Sequence, residues 1–169
     1  MVLILGGGGA AGFWLQGELA QYLEQQAAVE LEHTARTAAA VLHDLPRPLT
    51  SEAADRLTDQ LAGPANARLT VIAADGKVLG DSEFDGLALG ELDSHAQRPE
   101  VLAARADGVG SSGRFSRSVE TEMMYVAVAA DGSDAPTVRA SRRLSSLRAA
   151  MGRVRLLLAG AGGLLTVMA

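Results

Sequence analysis

The chain contains no cysteine, which excludes disulfides, thiol nucleophiles and cysteine-ligated zinc together. Aromatic residues are nearly as scarce: one Trp, two Tyr and three Phe make up 4% of 169 residues, so leucine, valine and alanine must fill the interior. Lysine occurs once, at Lys77; the other basic residues are all arginine. With 15 basic against 20 acidic residues the net charge is −5, which argues against general nucleic-acid binding. There is no G-x-x-x-x-G-K-[ST] phosphate loop and no G-x-S-x-G nucleophile elbow, and no Ser-His-Asp set can be assembled. No catalytic residue and no metal ligand is therefore assigned.

What the chain does have is a hydrophobic content of 48%, and the surplus sits at its two ends. Met1–Leu15 carries no charge, and Trp14 lies near its end as in the aromatic belt of a membrane interface. Fifteen helical residues reach only ~23 Å against a hydrocarbon core of ~30 Å, so residues 1–18 read as a partial transmembrane segment. Residues 156–169, uncharged and Gly-rich, read as a second, truncated one. A competing reading exists for the first end. Gly7, Gly9 and Gly12 satisfy G-x-G-x-x-G after the strand-like Val2–Leu5, with Glu30 or Glu32 further on, which would make a nucleotide-binding α/β domain. That fold needs further alternating strands and helices, and the next strand-like run comes only at Leu69.

Between the ends, Leu19, Leu23, Ala27, Leu31, Ala35, Ala38, Leu42 and Leu45 recur at helical spacing, predicting an amphipathic helix over 19–45 that Pro46 and Pro48 stop. Thr50 offers the N-cap of a second helix that should end at Gly63-Pro64. The stretch LTVIAADGKVLGDSE, Leu69–Glu83, predicts a hairpin: strands Leu69–Ala73 and Lys77–Gly80 flank Asp75-Gly76, a pair suited to positive φ at both turn positions. Its apolar residues face both ways, so the hairpin should lie in a sheet covered on each side. An acidic loop, Asp81–Asp93, follows; it resembles a calcium loop, but the twelfth position is Leu92 instead of Glu. Pro99 then opens a helix through Ala106, and three strands are expected at Gly113–Val119, Met123–Ala129 and Thr137–Ser141. Leu144, Leu147, Met151, Val154 and Leu158 repeat every seven residues, so a connecting helix over 144–155 has an apolar seam along which either two copies would pair or the helix would pack on its own domain. The run His43–Thr50 resembles the phosphoacceptor box of histidine kinases with a slip of one residue, but Pro46 and Pro48 break the helix that box needs.

Four blocks in order, LTVIAADGKVLGDSE, HAQRPEV (His95–Val101), GRFSRS (Gly113–Ser118) and MMYVAV (Met123–Val128), resemble the extracytoplasmic sensor region of bacterial sensor histidine kinases, the phosphate-regulon type in particular. The resemblance implies an α+β fold: a long N-terminal helix, a five-stranded antiparallel PAS-like or Cache-like sheet with flanking helices over 46–143, and a C-terminal helix running into a membrane segment. It also implies a homodimer in the bacterial inner membrane, in contact with lipid, with the sensor domain outside. Catalytic parts would lie beyond Ala169, using ATP and Mg2+ and passing phosphate to a response regulator; the fragment itself holds no cofactor. His95, Arg98, Arg114, Ser116, Arg117 and Tyr125 fall within the matching blocks and are expected to line a pocket for a small anion. The plainer alternative pairs Arg98 and Arg114 with Glu100 and Asp107 on the surface. A membrane-anchored adaptor without any ligand remains a third reading. The arginines at 142, 143, 148, 153 and 155 run against the usual placement of positive charge inside the membrane.

Overall fold

A computed structural model describes residues 3–46, 48–116, 120–130 and 135–144. Ala28–Arg143 forms one compact unit, and Met1–Ala27 with Leu144–Ala169 belongs to another. The expected connecting helix and second membrane segment, 144–155 and 156–169, lie outside the described residues apart from Leu144.

Helix α1 runs unbroken from Leu3 to His43, well ahead of the expected start at residue 19. Its glycine run is therefore helical, which commits those backbone amides to the helix and leaves no strand at Leu3–Leu5. The nucleotide-loop reading fails on both counts. Among the described residues no helix is long and apolar enough to cross a membrane; four glycines at 6–9 and the polar Gln16 and Glu18 dilute the N-terminal run. The helix stops ahead of Pro46, as its sequence requires.

Helix α2, Ser51–Ala65, begins at Thr50, whose Oγ1 accepts from the Ala53 amide at 3.2 Å. It passes the expected stop at Gly63-Pro64 and ends one residue after Ala65, at Asn66. There φ is 49° and the Asn66 N–H bonds to the Gly63 carbonyl at 3.0 Å. The hairpin forms as expected from β1, Arg68–Ile72, and β2, Val78–Asp81. Its turn is wider than a two-residue loop. Of the turn residues only Gly76 takes positive φ (90°), while the Asp75 carboxylate accepts from the Lys77 amide at 2.9 Å. A short helix α3, Gly86–Gly90, interrupts the acidic loop, and α4 spans Pro99–Asp107, closed by Gly108 at φ 85°. Strands β3 (Val109–Ser116), β4 (Thr121–Ala129) and β5 (Thr137–Arg143) complete a five-stranded antiparallel sheet in the order β2-β1-β5-β4-β3. The hairpin is thus one edge of the sheet, with β1 inside.

The pairing register gives the sheet two unlike faces. On one, Leu69 and Val71 of β1, Val138 and Ala140 of β5, and Val126 and Val128 of β4 meet Leu31, Ala35, Ala38, Ala39 and Leu42 of α1 and Ala54 and Leu57 of α2. On the other, two rows cross the strands: Thr70–Arg139–Ala127–Gly110 and Arg68–Ser141–Tyr125–Ser112. Helix α4 covers part of this face through Val101 and Ala104, which pack with Ile72 and Ala127. The approach is close because Gly110 lacks a side chain. A Cβ there would collide with the Glu100 carbonyl and come within 2.6 Å of the Ala103 Cβ and 2.7 Å of the Ala104 amide. This explains why β3 starts at Val109, four residues before the expected Gly113: the small residues that weaken its strand propensity are what the helix above requires.

Gly110→Ala should therefore destabilise the fold by about 2 kcal/mol, as overpacking does, whereas Gly113→Ala on the same strand, with nothing within 4 Å of the added methyl, should stay within about 0.5 kcal/mol. Denaturant titration of both variants checks the pair, and equal effects would contradict this account of how α4 is seated.

Candidate functional site

The face beneath α4 carries charge that has no access to water. Arg68, Asp81, Glu100 and Arg139 are all buried, Asp81 and Glu100 completely. Asp81 sits at the end of β2 beside Arg68 and Thr70. Its carboxylate accepts from Arg68 Nε at 2.8 Å and Nη2 at 2.8 Å, from the Thr70 hydroxyl at 2.7 Å and from the Glu83 amide at 3.0 Å. The Thr70 hydroxyl in turn accepts from Arg139 Nη2 at 3.2 Å. Arg139 continues the chain to Glu100 of α4, whose Oε1 accepts from Arg139 Nη1 at 3.3 Å and Arg114 Nη2 at 3.1 Å, while Oε2 accepts from Ser112 Oγ at 2.6 Å. One connected series of hydrogen bonds thus runs from β2 through β1 and β5 to α4 and β3.

Two guanidinium groups stack on the ring of Tyr125, Arg114 at 4.2 Å and Arg139 at 4.8 Å. Burial lowers the pKa of Arg139 to about 10 against the pull of Glu100, so it remains a cation at neutral pH. Burial would raise the Glu100 carboxyl, but hydrogen bonds from Ser112 and Arg114 and the charge of Arg139 hold it below its ordinary value. Glu100 is therefore ionised.

His95 lies in the loop before α4. Its amide bonds to the Gly76 carbonyl at 2.8 Å, so the hairpin tip holds this loop; a Cβ on Gly76 would come within 2.5 Å of Ala96. The ring Nδ1 is 2.7 Å from the Asp93 carbonyl, which assigns the proton to Nδ1 and leaves Nε2 an acceptor. Burial, then the positive charge of Arg139, with Arg98 and Arg68 adding to it, lowers the His95 pKa to about 4 despite the Asp93 bond. His95, Arg98 and Arg114 line one pocket of about 520 Å³ together with Glu91, Leu92, Asp93 and Phe115.

Of the residues singled out from the sequence, then, His95, Arg98 and Arg114 converge on a pocket, and Tyr125 lies behind it as the platform for Arg114. Ser116 is buried at the end of β3 and is not among the pocket's lining, and Arg117 lies outside the described residues. The surface pairing is half right. Arg114 does pair with Glu100, but inside the protein; Arg98 forms no ion pair among the described residues. The sequence reading missed Arg68, Thr70, Asp81, Glu100 as a buried counterion, and Arg139. Their signal is the alternation of polar and apolar residues in Arg68–Ile72 and Thr137–Ser141, which by itself also describes a strand with one wet face.

The sequence matches no known family model and no curated protein. Solved structures do match in shape. The sensor domain of the V. cholerae histidine kinase DctB superposes with a TM-score of 0.60 at 12% identity over 80% of this chain and 56% of that one. The ligand-binding domain of the Campylobacter jejuni chemoreceptor Tlp3 in complex with L-valine gives 0.63 at 13%, over 84% and 64%. That of the Pseudomonas aeruginosa PAO1 amino acid chemoreceptor PctC in complex with GABA gives 0.61 at 18%, over 80% and 64%. The chain spans 56% to 64% of the length of these structures. At such identities the likeness is one of fold: α+β, with a five-stranded antiparallel sheet and flanking helices. None of the three is a phosphate-regulon kinase, and that finer resemblance has no support among them.

Replacing Glu100 with Gln should destabilise the protein by about 3 kcal/mol, because it leaves Arg139 buried without an anion and removes the partner of the half-buried Arg114. Acid should act through His95 first. Its folded pKa of about 4 lies below the ordinary 6.5, so the unfolded chain binds a proton that the folded one refuses. Stability is then complete above pH 6.5 and falls by about 3 kcal/mol as pH drops to 4. The contribution of Glu100, whose pKa is lowered, is lost only below its ordinary 4.5. Denaturation from pH 7.5 to 4 should show this slope in the wild type and a flatter one in His95→Asn; equal slopes would refute it.

Proposed function

We propose that this chain is the extracytoplasmic sensor portion of a bacterial membrane-bound signalling protein and that the pocket bordered by His95, Arg98 and Arg114 receives a small-molecule stimulus. The observation that supports it is the position of that pocket: it lies against a buried, hydrogen-bonded charge network on one face of the sheet, in a fold whose solved neighbours are sensor and ligand-binding domains. A small molecule bound there would change what Arg114 and its partner Glu100 contact. Glu100 belongs to α4, so the event reaches an element of the fold and not merely a side chain.

The output of this reading is a two-component histidine kinase in the inner membrane, with ATP and Mg2+ bound by a cytoplasmic part that phosphorylates a response regulator, and with two copies paired along their helices. A chemoreceptor output fits the same sensor equally well, since both kinds of protein stand among the neighbours. An adaptor without a ligand fits less well, because it leaves Arg98 at a pocket with its Nε buried and unbonded.

The absence of cysteine offers a direct test of the compartment. Leu87, 90% exposed on α3, should tolerate replacement by Cys as the sole thiol. In intact cells, Leu87→Cys should react with a membrane-impermeant maleimide as completely as it does after lysis. Labelling only after lysis would overturn the extracytoplasmic placement.

A further inference from the structure

We infer that the pocket takes a small oxyanion without an α-ammonium group, a plain carboxylate or an inorganic oxyanion, and discriminates against amino acids. This rests on the sensor reading above and follows from a census of its hydrogen-bonding groups.

The two buried carboxylates are already occupied. Asp81 receives Arg68, Thr70 and the Glu83 amide, and Glu100 receives Ser112, Arg114 and Arg139. The donors are not. Among the described residues, the buried side-chain atoms without a partner are Arg98 Nε, Arg114 Nε and Arg139 Nε, which can only donate, and the hydroxyls of Thr137 and Ser141, which can donate or accept. Arg98 and Arg114 line the pocket. Arg139 stands behind Arg114, sharing Glu100 and Tyr125 with it, and Thr137 and Ser141 flank Arg139 on the same face of β5. A buried donor without an acceptor costs about 1–3 kcal/mol, so the two guanidinium groups on the pocket wall, Arg98 and Arg114, are completed by a group that accepts.

An ammonium group finds the opposite conditions. The carboxylates on the pocket wall, Glu91 and Asp93, are exposed, and a charge pair at such a rim contributes about 0–1 kcal/mol. Among the buried side chains of the pocket wall the acceptor is His95 Nε2, facing the positive field of Arg139, Arg98 and Arg68. The field that keeps a proton off this imidazole also repels a ligand cation placed beside it. An α-ammonium cannot stay at the rim while its carboxylate, two bonds away, enters between Arg98 and Arg114.

The test compares matched ligands that differ only in the amine: propionate with alanine and succinate with aspartate, with inorganic phosphate and sulfate as a third arm, read by calorimetry and thermal shift on the whole chain. The expected result is binding of at least one amine-free anion, about tenfold or more tighter than its amino partner. Phosphate or sulfate binding in place of either carboxylate also upholds the inference and identifies an inorganic oxyanion. Arg98→Gln, which breaks no ion pair among the described residues, should weaken the anion about tenfold and leave the ligand-free melting temperature unchanged. An amino acid that binds as tightly as its amine-free partner, or an affinity indifferent to Arg98→Gln, overturns this inference and leaves the sensor reading standing. Silence from every anion and every amino acid overturns both.

Discussion

Two carboxylates, Asp81 and Glu100, are held where water does not reach them, and the architecture around them follows from the need to neutralise that charge. An unpaired ion in such a place costs several kcal/mol. The remedy draws Arg68 from β1, Arg114 from β3 and Arg139 from β5 onto anions supplied by β2 and α4. These contacts also fix the register of the sheet. Were β5 shifted by one residue against its neighbours, Arg139 would turn toward Leu69, Val126 and the alanines of α1, and Val138 would face Glu100. Both faces therefore hold the register, since a slip that misplaces Arg139 misplaces Val138 and Ala140 as well.

The two faces divide the work between them. Burial of aliphatic surface under α1 and α2 supplies the bulk of the driving force, using side chains that have no chemistry to offer. The opposite face spends little apolar area, through Ile72, Val101, Ala104 and Ala127, and keeps its polar groups in fixed positions beside a pocket. Small residues make this possible twice over. Gly110 lets α4 settle onto β3 so that Glu100 reaches Ser112, Arg114 and Arg139, and Gly80 lets α2 approach β2 so that Asp55 accepts from the Asp81 amide at 3.2 Å.

Much of this was legible in the sequence, and what was missed has physical causes. The hairpin at Asp75-Gly76, the Thr50 cap, the Pro99 helix start and the strands at Met123 and Thr137 are local signals, written in residues whose backbone preferences are strong. The early start of β3 was not visible, because Gly110, Ser111 and Ser112 are strand residues only by virtue of what lies above them. The continuity of α1 through its glycines was hidden for a related reason: a glycine run looks like a loop until its backbone is seen to follow the helix. His95, Arg98 and Arg114, singled out through family resemblance, border one pocket. Arg139 was not singled out, because a strand that alternates polar and apolar residues reads the same whether its polar side faces solvent or a second layer of protein. Only the placement of Glu100 across from it tells the two apart.

The contact between α1 and the sheet is made in its middle by Ala35, Ala38 and Ala39, with Leu31 and Leu42 at either end. Methyl groups form low ridges, so between these two leucines the helix rests on a shallow track with few interlocking teeth. Motion along its own axis there is opposed by the two leucines, three turns apart, and by the ion pair of Glu30 on α1 with Arg142 of β5 at 2.9 Å.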